Sequence, residues 1–279
     1  MATRKIHKIY AGTPTVEGAG VNLTRIFSVP DVQDVDPFLL LDFFDSHDAK
    51  DYSAGFPLHP HRGIETITYL IKGKIAHEDS LGNRGVIGPL GCQWMTAGRS
   101  ILHQEMPDPS LPIRGTQLWL NLPRANKMTA PAYRDIKEKD VPVYDASDVL
   151  VRVLAGSFRG ITGPVKGTYV DPLYFDVTIH PHGTFSLDIP ENDTAFVFLL
   201  DGEIEFHEDR TLTSTQTRGI LLTKGDHVGV HSDTGARFLF IAARPLNEPI
   251  AWGGPIVMNT QEELRAAYQQ LRTGTFIQG

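Results

Sequence analysis

The sequence predicts an all-β protein that consists of two tandem β-barrels and a short C-terminal helix. Three observations support this fold class: a composition rich in turn-forming residues, short apolar runs between the turns, and an internal repeat. The 279 residues include 26 Gly and 19 Pro, and 41% of them are hydrophobic. Such a composition suits short strands joined by many turns, in a chain long enough to build two cores.

The first barrel is expected between Gly55 and Pro123. Short β-like runs in this stretch are separated by turn sequences such as Ser80–Gly85, whose Gly and Asn residues suit the positive φ of a hairpin. Runs at this spacing favour a barrel or sandwich over alternating strands and helices. A polar, proline-bearing segment over 123–142 then leads to a second β-rich stretch.

The two β-rich stretches repeat one another. An apolar strand that ends in a glycine turn occurs at Thr68–Gly73 and again at Val197–Gly202, 129 residues later. A repeat of this length indicates duplication of a whole domain. We therefore expect an N-terminal metal-binding barrel over 1–134 and a C-terminal metal-free barrel over 135–279. A capping box at Thr260 and Glu263 predicts that the second of these ends in a surface helix.

Charge and composition exclude several classes of function. The net charge is −7 and the chain has no Lys/Arg-rich run, which argues against direct binding to nucleic acid. No segment approaches the roughly 18 consecutive apolar residues of a membrane span, and the N-terminus lacks the apolar stretch of a signal peptide. Cys92 is the single cysteine, so no intramolecular disulfide can form. We expect a cytoplasmic protein.

Two short motifs carry the candidate chemistry. His59-Pro-His61 places two imidazoles at alternate positions, and His103-Gln-Glu105 does the same for an imidazole and a carboxylate. Alternate side chains of an extended chain lie on one face, so two such segments side by side would bring four ligand atoms together. Three nitrogens and one oxygen suit a divalent transition metal such as iron, and not calcium.

These motifs and their surroundings closely resemble the pirin family of bicupins. The resemblance is densest over residues 24–134 and continues more loosely to the C-terminus. Its motifs are His59-Pro-His-Arg-Gly-Ile-Glu-Thr66, Asp79-Ser-Leu-Gly82, Gln93-Trp-Met-Thr-Ala-Gly98, His103-Gln-Glu105 and Gln117-Leu-Trp-Leu-Asn-Leu-Pro123, preceded by Asp36-Pro-Phe-Leu-Leu-Leu-Asp42.

The resemblance implies a double-stranded β-helix, the cupin barrel, in each half. It also implies an iron ion held by His59, His61, His103 and Glu105, the same set that the spacing indicates. Copper and zinc outcompete iron at such sites, so a recombinant preparation need not carry iron; Zn, Mn, Ni and Cu are the alternatives. Some pirins are described as quercetinases, and others as regulatory proteins that act through a protein partner.

The second half offers no equivalent ligand set at the repeat offset. The positions that correspond to the four ligands are Asp188, Pro190, Arg237 and Leu239. His180-Pro-His182 repeats the tripeptide eight residues before the equivalent position, ahead of the strand pair rather than inside it, and we do not expect it to bind a metal. We interpret His207, His227 and His231 as surface or hydrogen-bonded strand histidines.

Three further residues are candidates for supporting roles. Glu65 has the parity of the histidines and is assigned to hydrogen bonding, either behind the ligands or within the barrel wall, rather than to ligation. Arg62 could pair with a carboxylate, which we favour, or hold an anionic substrate. Among the apolar residues Phe56, Trp94, Met95 and Trp119 and the polar Gln117, only Phe56 is retained as a candidate substrate contact, since it abuts the ligand pair.

Besides a storage or purely structural bicupin, in which the metal would hold the first barrel together, two functions remain open from the sequence. The first is a quercetin 2,3-dioxygenase-like oxidoreductase that opens a flavonol-like enol or catechol with O2, in which Glu105 either stays a ligand or accepts the substrate's hydroxyl proton. The second is a metal- or redox-sensing regulatory protein that acts through a protein partner. The resemblance supplies both, and neither follows from the fold alone.

Overall fold

The computed structural model describes residues 2–165, 169–206, 211–213 and 218–277. Strands dominate these residues, and the longest α-helix, α2, lies at the C-terminus over Gln261–Thr273. A four-residue helix, α1, covers Val32–Val35. No helix within the described ranges is long and apolar enough to cross a lipid bilayer.

The strands follow one another in short segments joined by turns. In chain order they are β1 (Ile6–Tyr10), β2 (Thr13–Glu17), β3 (Val21–Phe27), β4 (Phe38–Ser46), β5 (Phe56–His61), β6 (Ile64–Lys72), β7 (Ile75–Asp79), β8 (Arg84–Ile87), β9 (Cys92–Thr96), β10 (Ile101–Pro107), β11 (Ile113–Asn121), β12 (Ala132–Ile136), β13 (Val143–Asp145), β14 (Val149–Ala155), β15 (Ser157–Phe158), β16 (Ile161–Thr162), β17 (Leu173–Ile179), β18 (Gly183–Asp188), β19 (Thr194–Phe206), β20 (Thr211–Thr213), β21 (Gly219–Leu222), β22 (His227–Ser232), β23 (Ala236–Ala243), β24 (Ala251–Gly253) and β25 (Ile256–Met258).

The chain forms two compact units, each a cupin barrel, as predicted. Unit 1 comprises Met1–Gly12, Asp34–Pro37 and Lys139–Pro245, and unit 2 comprises Thr13–Gln33, Phe38–Glu138 and Leu246–Gly279. The main change of unit, after Glu138, lies close to the expected boundary after residue 134. The two ends of the chain differ from the expected division, because each belongs with the opposite half.

Hydrogen bonds explain this exchange of chain ends. In unit 1, β1 pairs with β21 along one edge of the sheet. In unit 2, the segment after Leu246 forms the β24–β25 hairpin and α2, whose buried residues pack together around Leu264 and Phe276. The predicted C-terminal helix is confirmed, with its Thr260–Glu263 capping box and a left-handed Gly274 at its end. Its place is in unit 2 rather than with residues 135–245.

Unit 1 has an apolar interior. Its sheet runs in the order β1-β21-β19-β23-β17-β14-β13, and β18, β20 and β22 complete it. Aromatic side chains fill the interior: Phe185 stacks on Phe158 with ring centroids 5.5 Å apart and also contacts Phe238 and Phe240. The interior of unit 1 is therefore a hydrophobic core.

Unit 2 has a different interior. A seven-stranded sheet runs in the order β12-β9-β6-β11-β4-β3-β2, and a four-stranded sheet in the order β5-β10-β7-β8. The expected hairpin at Ser80–Gly85 joins β7 to β8, and Gly82 adopts a φ of +88° there. Side chains from both sheets line one cavity, so the candidate site lies between them.

Candidate metal centre

The two motif-bearing segments are neighbouring antiparallel strands. β5 and β10 pair with His103 opposite His59 and with Ile101 opposite His61. The register therefore places three imidazoles on one face of the four-stranded sheet, as the alternate spacing predicts. Their ring centroids lie 4.3 Å (His59–His103), 4.8 Å (His59–His61) and 5.1 Å (His61–His103) apart.

The three histidines form a cluster that could bind a metal ion. One ring nitrogen of each lies within 4.8 Å of the others. His61 and His103 are buried, and His59 is partly exposed. Among the described residues, no group within hydrogen-bonding distance satisfies either ring nitrogen of His103. A buried polar atom without a partner is costly, so this ring is suited to an external ligand.

Backbone carbonyls set the orientation of the other two rings. Nδ1 of His59 lies 3.0 Å from the carbonyl oxygen of Pro57, and Nδ1 of His61 lies 3.1 Å from that of Pro255. A carbonyl can only accept, so each Nδ1 carries the proton and each Nε2 presents a lone pair. These two Nε2 atoms face each other at 3.1 Å. Two lone pairs at this distance favour a cation beside them.

Burial keeps His61 and His103 neutral. Burial, and secondarily His59, lowers the pKa of His61 to about 3. Burial also holds the pKa of His103 well below its usual range, with further contributions from His61 and His59. Neutral imidazole is the form that binds metal, and it does so without releasing a proton. The donor set therefore fits a divalent transition metal.

Glu105 lies on the same cavity wall but outside the cluster of ring nitrogens. A β-bulge between His103 and Glu105 shifts the register, so that Glu105 lies opposite Phe56. Its Oε1 accepts a hydrogen bond of 2.8 Å from the hydroxyl of Thr68. Burial raises the pKa of Glu105, against the effect of this hydrogen bond and of nearby histidines. Its role as a ligand stays a prediction.

The supporting residues have different surroundings from one another. Glu65 is fully buried, and its Oε1 accepts a bond of 2.5 Å from the hydroxyl of Thr96. Glu65 therefore bonds to a threonine and not to an imidazole. The rings of His59 and His61 are oriented by the carbonyl oxygens of Pro57 and Pro255. Phe56 lines the cavity with its ring centroid 6.4 Å from that of His59.

Arg62 faces the C-terminal segment of unit 2, where no carboxylate pairs with it among the described residues. Its guanidinium donates to the carbonyl oxygen of Arg99, to the side chain of Gln270 at 2.7 Å and to the carbonyl oxygen of Phe276 at 3.1 Å. It also stacks over the Phe276 ring, 4.2 Å from its centroid. Within the described part of the chain these acceptors satisfy the guanidinium, and Arg62 does not line the cavity; the favoured carboxylate pair stays a prediction.

The cavity has a volume of about 670 Å³, within the range of small-molecule sites. Most of the side chains around it are apolar or aromatic. Trp119 and Trp252 line it with ring centroids 5.8 Å apart, and Trp119 meets the His61 ring edge-on at 5.0 Å. Gln117 also lines it, whereas Trp94 and Met95 are buried elsewhere in unit 2.

Sequence reasoning missed the contribution of the C-terminal segment. Trp252 and Pro255 both line the cavity, and Pro255 lies 194 residues beyond His61 in the sequence. Spacing carries no signal at that separation. Trp119 and Gln117 also line the cavity, although the sequence analysis did not retain them as substrate contacts because such residues on strands usually belong to the core.

Three histidines of unit 1, His182, His227 and His231, have other partners. His227 lies 2.7 Å from Asp188, and His231 contacts both Thr184 and Asp233. The side chain of His182 is 82% exposed and lies beside Asp233. His207 lies outside the described residues. That unit 1 is metal-free stays a prediction.

Two cupin barrels in one chain, one of them with a histidine cluster beside a cavity, define a bicupin. Family models described as "Pirin" and "Pirin C-terminal cupin domain" match residues 20–120 and 174–277. The chain belongs to the pirin family.

Individual relatives agree with this assignment. A "Pirin-like protein" of Caulobacter vibrioides is 44% identical over 99% of this chain and 100% of its own length. A Pseudomonas aeruginosa protein named "Putative quercetin 2,3-dioxygenase" is 40% identical over 97% of each chain. Among solved structures, quercetin 2,3-dioxygenase from Acinetobacter baumannii superposes with a TM-score of 0.89, at 32% identity and 99% coverage of both chains.

Proposed function

We propose that this protein is a metal-dependent dioxygenase of the quercetinase type, which uses Fe(II) and O2 to open the ring of a flavonol-like enol or catechol. The observation that carries the proposal is the convergence of three imidazoles on a largely apolar cavity of about 670 Å³. Two relatives whose names include quercetin 2,3-dioxygenase, at 40% and 32% identity, support it.

In this proposal His59, His61 and His103 hold the metal, with Glu105 as the fourth ligand. Imidazole nitrogens with one carboxylate suit Fe(II) among the first-row metals. When bound, the metal lowers the pKa of a coordinated substrate hydroxyl and provides the site at which O2 reacts. Zn, Mn, Ni or Cu could replace iron in a recombinant preparation, since affinity alone does not favour iron.

The chain's own residues orient the ligands and exclude water. The carbonyl oxygens of Pro57 and Pro255 fix the Nδ1 protons of His59 and His61, which directs both Nε2 atoms into the site. Trp119 and Trp252 present flat apolar surfaces against which a planar substrate can lie.

Glu105 is the base in this proposal. Burial raises the pKa of Glu105, so an uncoordinated Glu105 carboxylate would be a better proton acceptor than an exposed glutamate; as the fourth ligand it would instead stay bound. The hydroxyl of Thr68, 2.8 Å from Oε1, orients the carboxylate toward the cavity that the substrate would enter. Glu105 would accept the hydroxyl proton of the bound enol on a carboxylate oxygen.

The test is anaerobic loading with ferrous iron followed by O2 uptake with quercetin. Wild type should bind about one metal per chain and consume O2, and both His59→Ala and Glu105→Ala should abolish uptake. His182→Ala is a matched control from the second His-Pro-His motif, since its exposed side chain lies beside Asp233 in unit 1. It should leave metal content and uptake unchanged.

Three other results bear on the assignment. Stoichiometric metal binding without O2 uptake on any flavonol would refute the dioxygenase proposal and favour the metal- or redox-sensing regulatory protein. No metal in wild type would refute the metal centre itself. Loss of metal from His182→Ala to the same extent as from His59→Ala would show that the readout does not report this site.

A further inference from the structure

A row of polar side chains crosses the otherwise apolar wall of the cavity. In the strand register of the seven-stranded sheet, Thr68 lies opposite Gln117, Gln117 opposite Asp42, and Asp42 opposite Arg25. All four line the cavity. We call these four residues the polar row. Because they come from adjacent strands β6, β11, β4 and β3, their order along the wall is set by the sheet.

The polar row leads away from the candidate metal centre. Its first member, Thr68, donates a hydrogen bond to Glu105. Its last member, Arg25, donates to Glu17, whose side chain is 41% exposed. Adjacent strands are about 4.8 Å apart, so three steps from Thr68 to Arg25 span roughly 14 Å. This length accommodates a planar ligand of two or three rings.

The far end of the polar row is rich in hydrogen-bond acceptors. Asp42 accepts two bonds from Arg25, of 2.9 and 2.7 Å, and Glu17 accepts one of 2.8 Å. Two carboxylates on one guanidinium leave this end with a net negative charge. Each carboxylate has about four acceptor sites, so Asp42 and Glu17 retain capacity for a ligand's hydroxyl groups.

An ion pair that only ties β3 to β4 would be the simplest explanation of Arg25 and Asp42. Unit 1 contains such a pair, in which Arg237 holds the fully buried Asp176 through bonds of 2.9 and 2.6 Å. That pair does not line the cavity, whereas the pair of Asp42 and Arg25 does. The difference in surroundings, at equal geometry, indicates a role for Asp42 beyond joining two strands.

We propose that the substrate is an elongated planar polyphenol that chelates at the histidine end and directs the hydroxyl groups of its remote ring to Asp42 and Glu17. Asp42 is then a specificity-determining residue. It favours neutral hydroxyl donors and disfavours ligands with an anionic group at that end. This inference rests on the proposed function, since it assigns the chelating end of the ligand to the histidines.

The test compares two ligands with the same chelating enol. Quercetin carries hydroxyl groups on its remote ring, and 3-hydroxyflavone carries none. Binding is measured anaerobically on the Zn(II)-loaded protein, through the change in ligand absorbance, so no turnover is needed. Wild type should bind quercetin about 10-fold or more tightly than 3-hydroxyflavone, as hydrogen bonds to charged groups predict.

Asp42→Asn should remove most of that discrimination and leave the Kd of 3-hydroxyflavone unchanged. Asp176→Asn, the matched pair in unit 1, should change neither Kd. If Asp42→Asn melts at a much lower temperature than Asp176→Asn, Glu17→Gln provides the same comparison at a half-exposed position. It should raise the Kd of quercetin severalfold and spare 3-hydroxyflavone.

The outcomes separate this inference from the proposed function. Equal affinity of wild type for both ligands, or an equal loss of both in Asp42→Asn, would overturn the role of the polar row and leave the dioxygenase standing. Discrimination by Asp42 without O2 uptake in the iron-loaded protein would support the polar row and refute the dioxygenase. Failure of both flavonols to bind the metal-loaded wild type would overturn both.

Discussion

Gly63 follows the metal-binding strand β5 and lies against Val257 of the β24–β25 hairpin. Gly63→Ala tests how much this close approach contributes to stability and to metal binding. Gly63 has a φ of +78°, and an added Cβ would lie 1.9 Å from the carbonyl oxygen of Val257. The left-handed conformation alone costs a non-glycine residue about 1–2 kcal/mol. Ordinary contact begins near 3.4 Å, so the hairpin would also have to move by roughly 1.5 Å.

That movement would break two hydrogen bonds. The amide of Val257 donates to Arg62 at 3.1 Å, and the ammonium of Lys127 donates to the carbonyl of Val257 at 3.0 Å. With the conformational cost, their loss should lower the free energy of unfolding of unit 2 by about 3–6 kcal/mol. The carbonyl of Pro255 would move away from His61, and metal affinity should fall by about 10–100-fold.

Urea denaturation followed by tryptophan fluorescence measures this cost in unit 2, because Trp94, Trp119 and Trp252 all belong to that unit. Metal affinity is measured by competition with a chelator. Gly82→Ala is the matched control: its φ is +88°, yet nothing lies within 4 Å of the added Cβ. It should cost about 1–2 kcal/mol and leave metal affinity unchanged. The reasoning fails if Gly63→Ala is no worse than Gly82→Ala in either measurement.

Three further predictions concern buried cations. Burial lowers the pKa of Lys127 to about 7, against about 10.4 in an unfolded chain, so between these values the unfolded chain binds the extra proton. Stability of wild type should therefore rise with pH from about 7 to 10, by at most about 1.4 kcal/mol per pH unit, and Lys127→Met should lack this slope in urea titrations. Arg62→Met should free α2 at a cost of about 2–4 kcal/mol, visible as faster amide exchange in that helix; unchanged exchange would contradict the anchoring role. Arg4 donates to four carbonyl oxygens of unit 1. Arg4→Met should therefore lower the free energy of unfolding, followed by far-UV circular dichroism, by a similar amount and leave the metal content intact. A loss of metal would contradict this prediction.

The histidine cluster was accessible from the sequence because its geometry is local. Side chains two residues apart share one face of a strand, so His59 and His61 converge whatever surrounds them. Placing His103 required only that β5 and β10 be neighbours, which the barrel register provides. Glu105 shows the limit of that argument. A β-bulge between His103 and Glu105 shifts the register of Glu105 by one residue. The alternation of side chains in the sequence does not reveal where such a bulge occurs.

Contacts between distant segments were not accessible in this way. Arg62 looked like a partner for a carboxylate, yet carbonyl oxygens and Gln270 satisfy it. The assignment of the chain ends to opposite units likewise depends on which strand edges and apolar faces remain uncovered once the barrels close. Neither composition nor period records that.

By itself the sequence determined the all-β class, the duplication of the barrel, the capped C-terminal helix and the three imidazoles, because strand period, turn chemistry and capping act over a few residues. Only the tertiary structure decided that Pro255 orients His61, that Trp252 lines the cavity and that Asp42 and Arg25 continue a polar row from Glu105. Such contacts depend on strand order and register, which bring together side chains far apart in the chain.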